Sequence, residues 1–317
     1  MELFSEIAKK INRASDIAIY CHTNPDGDAI GSMLALFHAL KAKGKDVYAY
    51  CDTPIPDRYK CMKGSEFVTF PQKRVHELGI CVDCSELDRL GRCVKSFLSC
   101  RAQIAIDHHK SFARFAPLCL VDAKASACAE IIFELLKQMK AIDNTVAELL
   151  FCGIVTDSAC FSLPSTTNRT HEIACELLKC DFNSNDAIFN VFRSTSVSRF
   201  NLKNRVLAKT KFFDDNRIAI ITFTLQDYQA TSTDCDDSEG IVNELCDLDC
   251  VKVAYALSQV GERSFKLSIR TKGNIDASEM AVIFGGGGHK NASGCRVNGY
   301  YEDIIEKLVK IASDRIY

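Results

Sequence analysis

The chain has 317 residues, and 39 Lys and Arg against 41 Asp and Glu give a formal net charge of −2. Its 47% hydrophobic and 25% charged residues are ordinary values for a globular protein. The length favours two domains whose cores need no disulfide staples. The balanced charge argues against a protein that coats long nucleic acid, but it is compatible with a short anionic ligand.

The seventeen cysteines are scattered along the chain. Cys21, Cys119, Cys152 and Cys175 stand in apolar runs, and we interpret them as small buried residues in a reducing compartment. The pair at 81 and 84 lacks the second pair that a zinc ribbon needs. The sequence shows neither a secretory leader nor an apolar run of about 18 residues, so we expect a cytoplasmic protein without a membrane span.

Short apolar runs alternate with helical patterns through the first part of the chain. Strand-like runs occupy residues 17–21, 46–51, 80–83 and 104–107, and helical patterns occupy 29–42, 126–140, 145–154 and 168–179. Strands that alternate with helices indicate an α/β domain built on a mainly parallel sheet with flanking helices. We place this domain at residues 1–185.

The remaining sequence predicts a helical linker at residues 186–210 and a smaller α/β domain at 211–317. Strand-like runs at 217–225, 251–258 and 264–270 accompany a short helix near 239–245, a run of four glycines at 285–288 and an amphipathic helix at 301–316. Glycines in such number are typical of a flexible loop, but their bare backbone can also cradle an anion.

Histidine and aspartate residues cluster at the ends of four apolar runs in the first domain. Taken singly, such residues have ordinary explanations; Asp26 and Asp28, for example, could cap the helix that follows them. The carboxyl ends of parallel strands meet at one edge of a sheet, so we expect the clusters to meet as well. Mixed carboxylate and imidazole donors suit a two-metal site for Mn(II), Fe(II) or Co(II) better than one for Mg(II).

The same clusters resemble the four motifs of the DHH phosphoesterase superfamily. The motifs read HTNPDGDAIGS from position 22, VDCS from 82, IDHHKS from 106 and VTDS from 155. The run GGGGHKNASG from position 285 is similar to the signature of the DHH-associated C-terminal domain. The resemblance covers residues 16–312, and the two-domain size resembles the subgroup of bifunctional oligoribonucleases (nanoRNases) and pAp phosphatases.

The resemblance implies a role for each polar residue of the motifs. The first metal ion would be held by His22 and Asp26, and the second by Asp28, His108 and Asp157. Asp83 would bridge the two ions. Asp107 would orient the cluster, and His109 would contact the scissile phosphate. The second motif departs from the family by Cys84, and the fourth by Ser158 and Ala159, where relatives commonly have a Thr-Gly pair.

In the second domain the resemblance implies a clamp for the substrate. Arg270 and Thr271 resemble an Arg-Ser pair that holds a terminal phosphate or base, and arginine suits bidentate phosphate binding. The backbone of Gly286, Gly287 and Gly288, together with His289, would hold an anionic part of the substrate.

The implied function is a hydrolase that uses two divalent ions, with Mn(II) expected, for hydroxide attack on phosphorus. Expected substrates are short oligoribonucleotides, linear dinucleotides such as pApA or pGpG, and pAp; long nucleic acid is not expected. The resemblance also admits a homodimer. Two alternatives stay open: a phosphodiesterase dedicated to cyclic di-AMP or to a linear dinucleotide, and a nucleotide-binding regulator.

Overall fold

A computed structural model describes residues 2–316, with His289 described by its backbone alone. The strands are β1 (Asp16–Tyr20), β2 (Asp46–Tyr50), β3 (Val68–Thr69), β4 (Leu78–Val82), β5 (Ala102–Asp107), β6 (Leu118–Val121), β7 (Lys211–Phe213), β8 (Ile218–Phe223), β9 (Val253–Gly261), β10 (Ser264–Thr271), β11 (Gly287–His289) and β12 (Ala292–Asn298). The α-helices are α1 (Glu2–Arg13), α2 (Gly27–Ala42), α3 (Val94–Ser99), α4 (Cys128–Gln138), α5 (Asn144–Asp157), α6 (Asn168–Leu177), α7 (Ser184–Ile188), α8 (Val197–Leu207), α9 (Leu225–Thr231), α10 (Asn243–Cys246), α11 (Ala277–Val282) and α12 (Tyr301–Ile316).

The chain forms two compact units that meet in sequence at Ser194 and Thr195. The helical segment between the two predicted domains contributes to both cores. Ala187 and Val191 belong to the hydrophobic core of the first unit, whereas Leu202 and Val206 pack into that of the second. Burial of apolar side chains thus ties each half of this segment to a different unit.

The first unit contains a six-stranded sheet in the order β3-β2-β1-β4-β5-β6, and every neighbouring pair is parallel. Tyr20 at the end of β1 lies beside Tyr50 of β2 and Cys81 of β4. The carboxyl ends of the central strands are therefore nearly level. This arrangement confirms the predicted parallel α/β domain, and it directs the chain that follows each strand to one edge of the sheet.

Helices α2 and α5 pack closely enough to require glycine. Both helices are apolar on nearly all sides, as expected of helices that are covered all round. A Cβ atom on Gly31 of α2 would lie 2.6 Å from the carbonyl oxygen of Leu149 and 3.1 Å from the amide nitrogen of Gly153, both in α5. The close approach holds the N-terminal end of α2 and the C-terminal end of α5 at a fixed separation.

The second unit contains a mixed sheet in the order β11-β12-β10-β9-β8-β7, in which β8 and β9 pair in parallel and the other neighbours are antiparallel. Side chains alternate between its two faces. Ile218 and Ile220 join a core with Leu308 of α12, whereas Ile221 joins a second core with Leu202 of α8.

The glycine run differs from the flexible loop that its composition predicts. Gly287, Gly288 and His289 pair with β12 and form the edge strand β11. The sequence did not indicate β3, β6, β7, β11 or β12 as strands, because most of them are short and β12 lacks the alternation of large apolar and polar residues that marks a half-buried strand.

All seventeen cysteines are free thiols in the structure. Cys21, Cys119 and Cys152 are buried as predicted, but the prediction for Cys175 is wrong because this residue is exposed on α6. The buried side of α6 carries Ile173 and Leu177, and Cys175 lies off that side. Within residues 2–316, none of the helices has the length and apolar character that crossing a membrane requires.

Replacement of Gly31 by alanine should destabilise the first unit. The added methyl group would meet backbone atoms of α5 that cannot move independently, and overpacking of this kind costs about 1–3 kcal/mol despite the better helix propensity of alanine. The free energy of unfolding, measured by denaturant titration, tests this expectation. Gly261→Ala is the matched control, because its added Cβ would meet no described atom closer than 3.6 Å. Equal stability of the two variants would contradict the close packing.

Candidate metal centre

The first polar cluster surrounds the N-terminus of α2. His22 stands two residues beyond β1, and Asp26 is the N-cap residue of α2. Asp26 Oδ1 accepts hydrogen bonds from the amides of Asp28 and Ala29 at 3.1 and 3.0 Å. The other carboxylate oxygen, Oδ2, lies 3.9 Å from Nε2 of His22. Asp26 therefore caps the helix with one oxygen and faces His22 with the other, so capping and ligand roles are compatible.

Asp28 links two helices that are far apart in sequence. Its carboxylate is 1% exposed and accepts from the amide of Cys128 at 2.5 Å and from that of Ala129 at 2.9 Å. These are the first two amides of α4, and Ala127 at the N-cap position of that helix has no side-chain acceptor. Asp28 thus supplies the cap of α4 from 100 residues away, where a negative charge also meets the positive end of the helix dipole.

Asp83 lies between the two histidines of the cluster. It follows β4 directly and has a left-handed backbone conformation with φ of +50°. Its Oδ2 is 3.8 Å from Nε2 of His22, and its Oδ1 is 3.5 Å from Nε2 of His108. Few residues other than glycine adopt such a φ, although aspartate is among the more tolerant. The strained backbone directs one carboxylate to two imidazoles at once.

His108 and Asp157 complete the cluster. Nε2 of His108 lies 3.5 Å from Oδ2 of Asp157, the last residue of α5. Beyond Asp157, the hydroxyl of Ser158 donates to the carbonyl of Ile154 at 2.6 Å and accepts from the amide of Phe161 at 2.9 Å. These bonds close a tight turn at the end of the helix and hold Asp157 in place.

The structure brings the six predicted metal ligands together. Three donor sets have ligand atoms within 4.8 Å of one another: His22 with Asp26 and Asp83; Asp28 with His108 and Asp157; and Asp83 with His108 and His109. Asp83 is shared between the first and third sets. Such a shared carboxylate between two groups of hard oxygen and imidazole donors is the arrangement that a pair of divalent ions requires.

Hydrogen bonds orient both histidines with Nε2 toward the carboxylates. Nδ1 of His22 lies 2.8 Å from the carbonyl oxygen of Thr23, and Nδ1 of His108 lies 3.3 Å from that of Ala125. A carbonyl oxygen can only accept, so Nδ1 carries a hydrogen in each ring. Nε2 of each imidazole is therefore the atom that can bind a metal ion, as is usual where a second group fixes the tautomer.

The pKa values show an excess of negative charge. Burial disfavours the charged form of His108, but the Asp83 carboxylate beside it raises its pKa to about 11. Burial and neighbouring carboxylates raise the pKa of Asp28 well above its usual range, and burial raises that of Asp157 to about 7. Among the described residues, Oδ1 of Asp83 is buried and has no hydrogen-bond partner. These features fit a site that binds cations.

Asp107 holds His109 rather than the other histidines. Its fully buried carboxylate accepts from the amide of His109 at 2.6 Å and lies 2.7 Å from Nδ1 of the same residue. The imidazole of His109 is 15% exposed and lies beside Asp83, with 3.7 Å between Nδ1 and Oδ1. Asp107 thus fixes the ring of His109 next to the shared carboxylate.

Arg270 and the glycine run lie close together in the second unit. Arg270 pairs with Ala292 of β12, which pairs in turn with His289 of β11. The guanidinium of Arg270 is oriented by Asn243, whose Oδ1 accepts from Nε at 3.0 Å. The register therefore places Arg270 two strands from the backbone of His289; the side chain of His289 lies outside the described structure.

The other residues predicted to bind substrate have structural partners. The hydroxyl of Thr271 donates to the carbonyl of Ile275 at 2.8 Å. The amide of Gly286 donates to the carbonyl of Ala281, and a Cβ atom at Gly286 would lie 2.3 Å from the carbonyl oxygen of Gly294. A Cβ atom at Gly288 would lie 2.6 Å from the carbonyl oxygen of Ala292, whereas one at Gly287 would meet no described atom within 4 Å. Packing thus requires glycine at positions 286 and 288 but not at 287.

Sequence reasoning missed the residues that hold the ligands. The carbonyl of Ala125 orients His108, the amides at the start of α4 bind Asp28, and Ser158 closes the turn behind Asp157. The backbone groups have no signature in the sequence. Ser158 follows Asp157 directly, but its hydroxyl bonds depend on the left-handed turn, which the pattern of residues does not reveal.

The fold and this site define a two-domain phosphoesterase, and the chain belongs to the DHH phosphoesterase family. Residues 16–154 match the family model described as the DHH family N-terminal domain, and residues 219–317 match the DHHA1 domain. The protein is accordingly a hydrolase with candidate sites for divalent metal ions.

Several relatives match along nearly the whole chain. The bifunctional oligoribonuclease and PAP phosphatase NrnA of Thermus thermophilus is 30% identical, with 97% of this chain and 93% of the relative covered. The protein of the same name from Bacillus subtilis is 25% identical, with 94% of each chain covered. A crystal structure of an exopolyphosphatase-related protein from Bacteroides fragilis superposes with a TM-score of 0.91 at 28% identity, covering 98% of this chain and 95% of the other.

Replacement of Ala159 by glycine should stabilise the protein. Ala159, Cys160 and Phe161 all have positive φ, and that of Ala159 is +45°. Removing the Cβ atom of an alanine with a left-handed backbone stabilises the folded state by about 1–2 kcal/mol. The greater conformational freedom of glycine in the unfolded chain offsets about 0.4–1 kcal/mol of this stabilisation. The free energy of unfolding should therefore rise by about 0.5–1 kcal/mol. Ala141→Gly, at a loop residue without a positive φ, should lower it; a loss of stability in Ala159→Gly would show that the turn is not strained.

Proposed function

We propose that the protein hydrolyses short RNA oligonucleotides and linear dinucleotides to mononucleotides, and pAp to AMP, with Mn(II) as the metal. The observation that carries the proposal is the position of Asp83, whose two oxygens face His22 and His108 separately. The names of the relatives from Thermus thermophilus and Bacillus subtilis support the choice of substrates.

The six clustered side chains would hold two divalent ions. His22 and Asp26 would bind one, and Asp28, His108 and Asp157 the other, as two of the donor sets within 4.8 Å suggest. Asp83 would contribute to both, because it belongs to the set of His22 and also lies 3.5 Å from Nε2 of His108. Two such ions, when bound, supply Lewis-acid stabilisation of the negative charge that develops on a phosphoryl group. The mixture of imidazole and carboxylate donors supports Mn(II) over Mg(II).

His109 would contact the scissile phosphate. Its Nδ1 is held by Asp107, so the ring would present Nε2 to a phosphate oxygen. Asp107 is fully buried, and a carboxylate there favours a protonated, hydrogen-bond-donating imidazole. Asp107 and His109 together would place a positively charged hydrogen-bond donor beside Asp83.

The balance of charge supports short substrates. A formal net charge of −2 leaves no general basic field to attract a long polyanion, so affinity must come from metal ions and from a few local cations. We assign the local cation in the second unit to Arg270, whose guanidinium is oriented by Asn243. The exposed backbone of Gly287 would approach the same end of the substrate.

A substrate panel with Mn(II) tests the proposal. The panel compares pApA, an RNA of five nucleotides, an RNA of twenty nucleotides, pAp and cyclic di-AMP. We expect fast release of mononucleotides from pApA and the five-nucleotide RNA, release of phosphate from pAp, and slow cleavage of the long RNA. Asp83→Asn should be inactive on all substrates, whereas Asp88→Asn, an exposed aspartate five residues away, should keep full activity.

The panel also separates the alternatives. Activity confined to cyclic di-AMP or to pApA would contradict the proposal and assign a dedicated signalling phosphodiesterase. Binding of two Mn(II) ions without turnover of any substrate would assign a nucleotide-binding regulator or another substrate class. The complete set of donors argues against a regulator, because binding without catalysis does not need a carboxylate shared between two metal sets.

Replacement of Arg270 by alanine should weaken substrate binding without affecting metal binding. Loss of a charge-assisted hydrogen bond to phosphate costs about 1.5–3 kcal/mol, so KM should rise by about 10–100-fold. Steady-state kinetics on pApA and calorimetric titration with Mn(II) measure the two effects. Arg296→Ala is the control, because Arg296 is an exposed residue of β12. A KM for Arg270→Ala equal to that of Arg296→Ala on every substrate would contradict the role of Arg270.

A further inference from the structure

We propose that Glu130 is a positioning residue for the second metal ion, acting on His108 through the peptide group between Ala125 and Ser126. The inference rests on the proposed two-metal function. It concerns a buried acid that the family motifs do not include and whose carboxylate faces Ser126, Thr170 and Arg169.

Glu130 is a fully buried acid in the first turn of α4. Its Oε1 accepts from the amide of Ser126 at 3.2 Å and from the hydroxyl of Thr170 at 2.6 Å. Its Oε2 lies 3.6 Å from Nε of Arg169. A buried carboxylate is costly unless its neighbours supply donors and charge, so a leucine or alanine would serve the core of this helix better. The position of Glu130 therefore calls for an explanation.

One rigid peptide group connects Glu130 to His108. The amide nitrogen of Ser126 and the carbonyl oxygen of Ala125 belong to the same planar unit, so orienting one orients the other. Glu130 holds the N–H of this unit, and Nδ1 of His108 donates to its carbonyl oxygen at 3.3 Å. A carboxylate bound to the N–H polarises the peptide and strengthens the carbonyl as an acceptor. The imidazole is thereby held in the Nδ1–H tautomer, and its Nε2 becomes a stronger ligand.

In the first metal set, a similar pair of hydrogen bonds connects His22 through one peptide group to a neutral hydroxyl. Nδ1 of His22 donates to the carbonyl of Thr23, and the amide of Asn24, in the same peptide unit, donates to Oγ1 of Thr53 at 2.7 Å. Each histidine is thus backed by one peptide group, which is bound by a carboxylate in one case and by a hydroxyl in the other. Charge-assisted hydrogen bonds are about twice as strong as neutral ones. The chain therefore connects His108 to a charged acceptor and His22 to a neutral one, and this difference provides an internal comparison.

Calorimetric titration of the metal-depleted full chain with Mn(II) tests the inference. The wild-type protein should show two binding events. Glu130→Gln keeps the size of the side chain and an acceptor for Ser126 but removes the charge. It should weaken one event by about 10–100-fold and leave the other unchanged. Thr53→Val should weaken the other event by a smaller factor. Glu134→Gln, one turn further along α4, is the matched control and should change neither event.

A double-mutant cycle identifies which event depends on Glu130. His108→Ala should remove the event that Glu130→Gln weakens, and adding Glu130→Gln to His108→Ala should not alter the remaining event. Melting temperatures of the metal-depleted variants show whether each is folded. If Glu130→Gln does not fold, Glu130→Asp replaces it; this variant keeps the charge but withdraws the carboxylate from Ser126, and the same single event should weaken.

The outcomes separate the inference from the proposed function. Failure of the wild-type chain to bind Mn(II) would contradict the two-metal function itself. Two wild-type events that Glu130→Gln leaves unchanged, or weakens equally, would overturn the role of Glu130 while the proposed function stands. If Glu130→Gln also weakens the Mn(II) binding event that remains in the His108→Ala variant, the role of Glu130 is overturned, because the effect would then not pass through His108.

Discussion

The crowding of five aspartates around one edge of a sheet, three of them buried, is the constraint on which the first unit depends. They are Asp26, Asp28, Asp83, Asp107 and Asp157, and those at 28, 83 and 107 are at most 2% exposed. Carboxylates so close together repel one another and lose their hydration. The fold offsets this cost with imidazoles between the carboxylates and with helix N-termini behind them, and the remaining imbalance is what divalent cations would neutralise.

The helix ends carry much of this compensation. Asp26 caps its own helix, α2, whereas Asp28 caps α4, so two positive helix ends converge on neighbouring carboxylates. The close contact of α2 with α5 then places Asp157 opposite them. The positive φ values at Asp83 and in the turn after Asp157 strain the backbone and direct these side chains into the cluster. Strain of this kind persists at sites where the surroundings fix the conformation.

The sequence predicted that these polar side chains would meet, because the rule behind that expectation is simple. Polar residues that follow the apolar strands of a parallel sheet must meet at one edge, and His22, Asp83 and Asp107 obey that rule. What the sequence could not predict depends on backbone groups and distant partners. The bond between Asp28 and α4 joins residues 100 positions apart, and the carbonyl of Ala125 leaves no mark in the residue pattern. The edge strand β11 was missed because glycines carry no side-chain alternation.

The two histidines proposed as metal ligands share one hydrogen-bonding pattern but differ in the group to which it leads. In both, a carbonyl accepts from Nδ1 and so directs Nε2 to the carboxylates. The peptide group that accepts from His22 donates its N–H to the hydroxyl of Thr53. The peptide group that accepts from His108 donates its N–H to the buried carboxylate of Glu130. The asymmetry therefore arises in Thr53 and Glu130, outside the cluster, and reaches the histidines through backbone peptide groups.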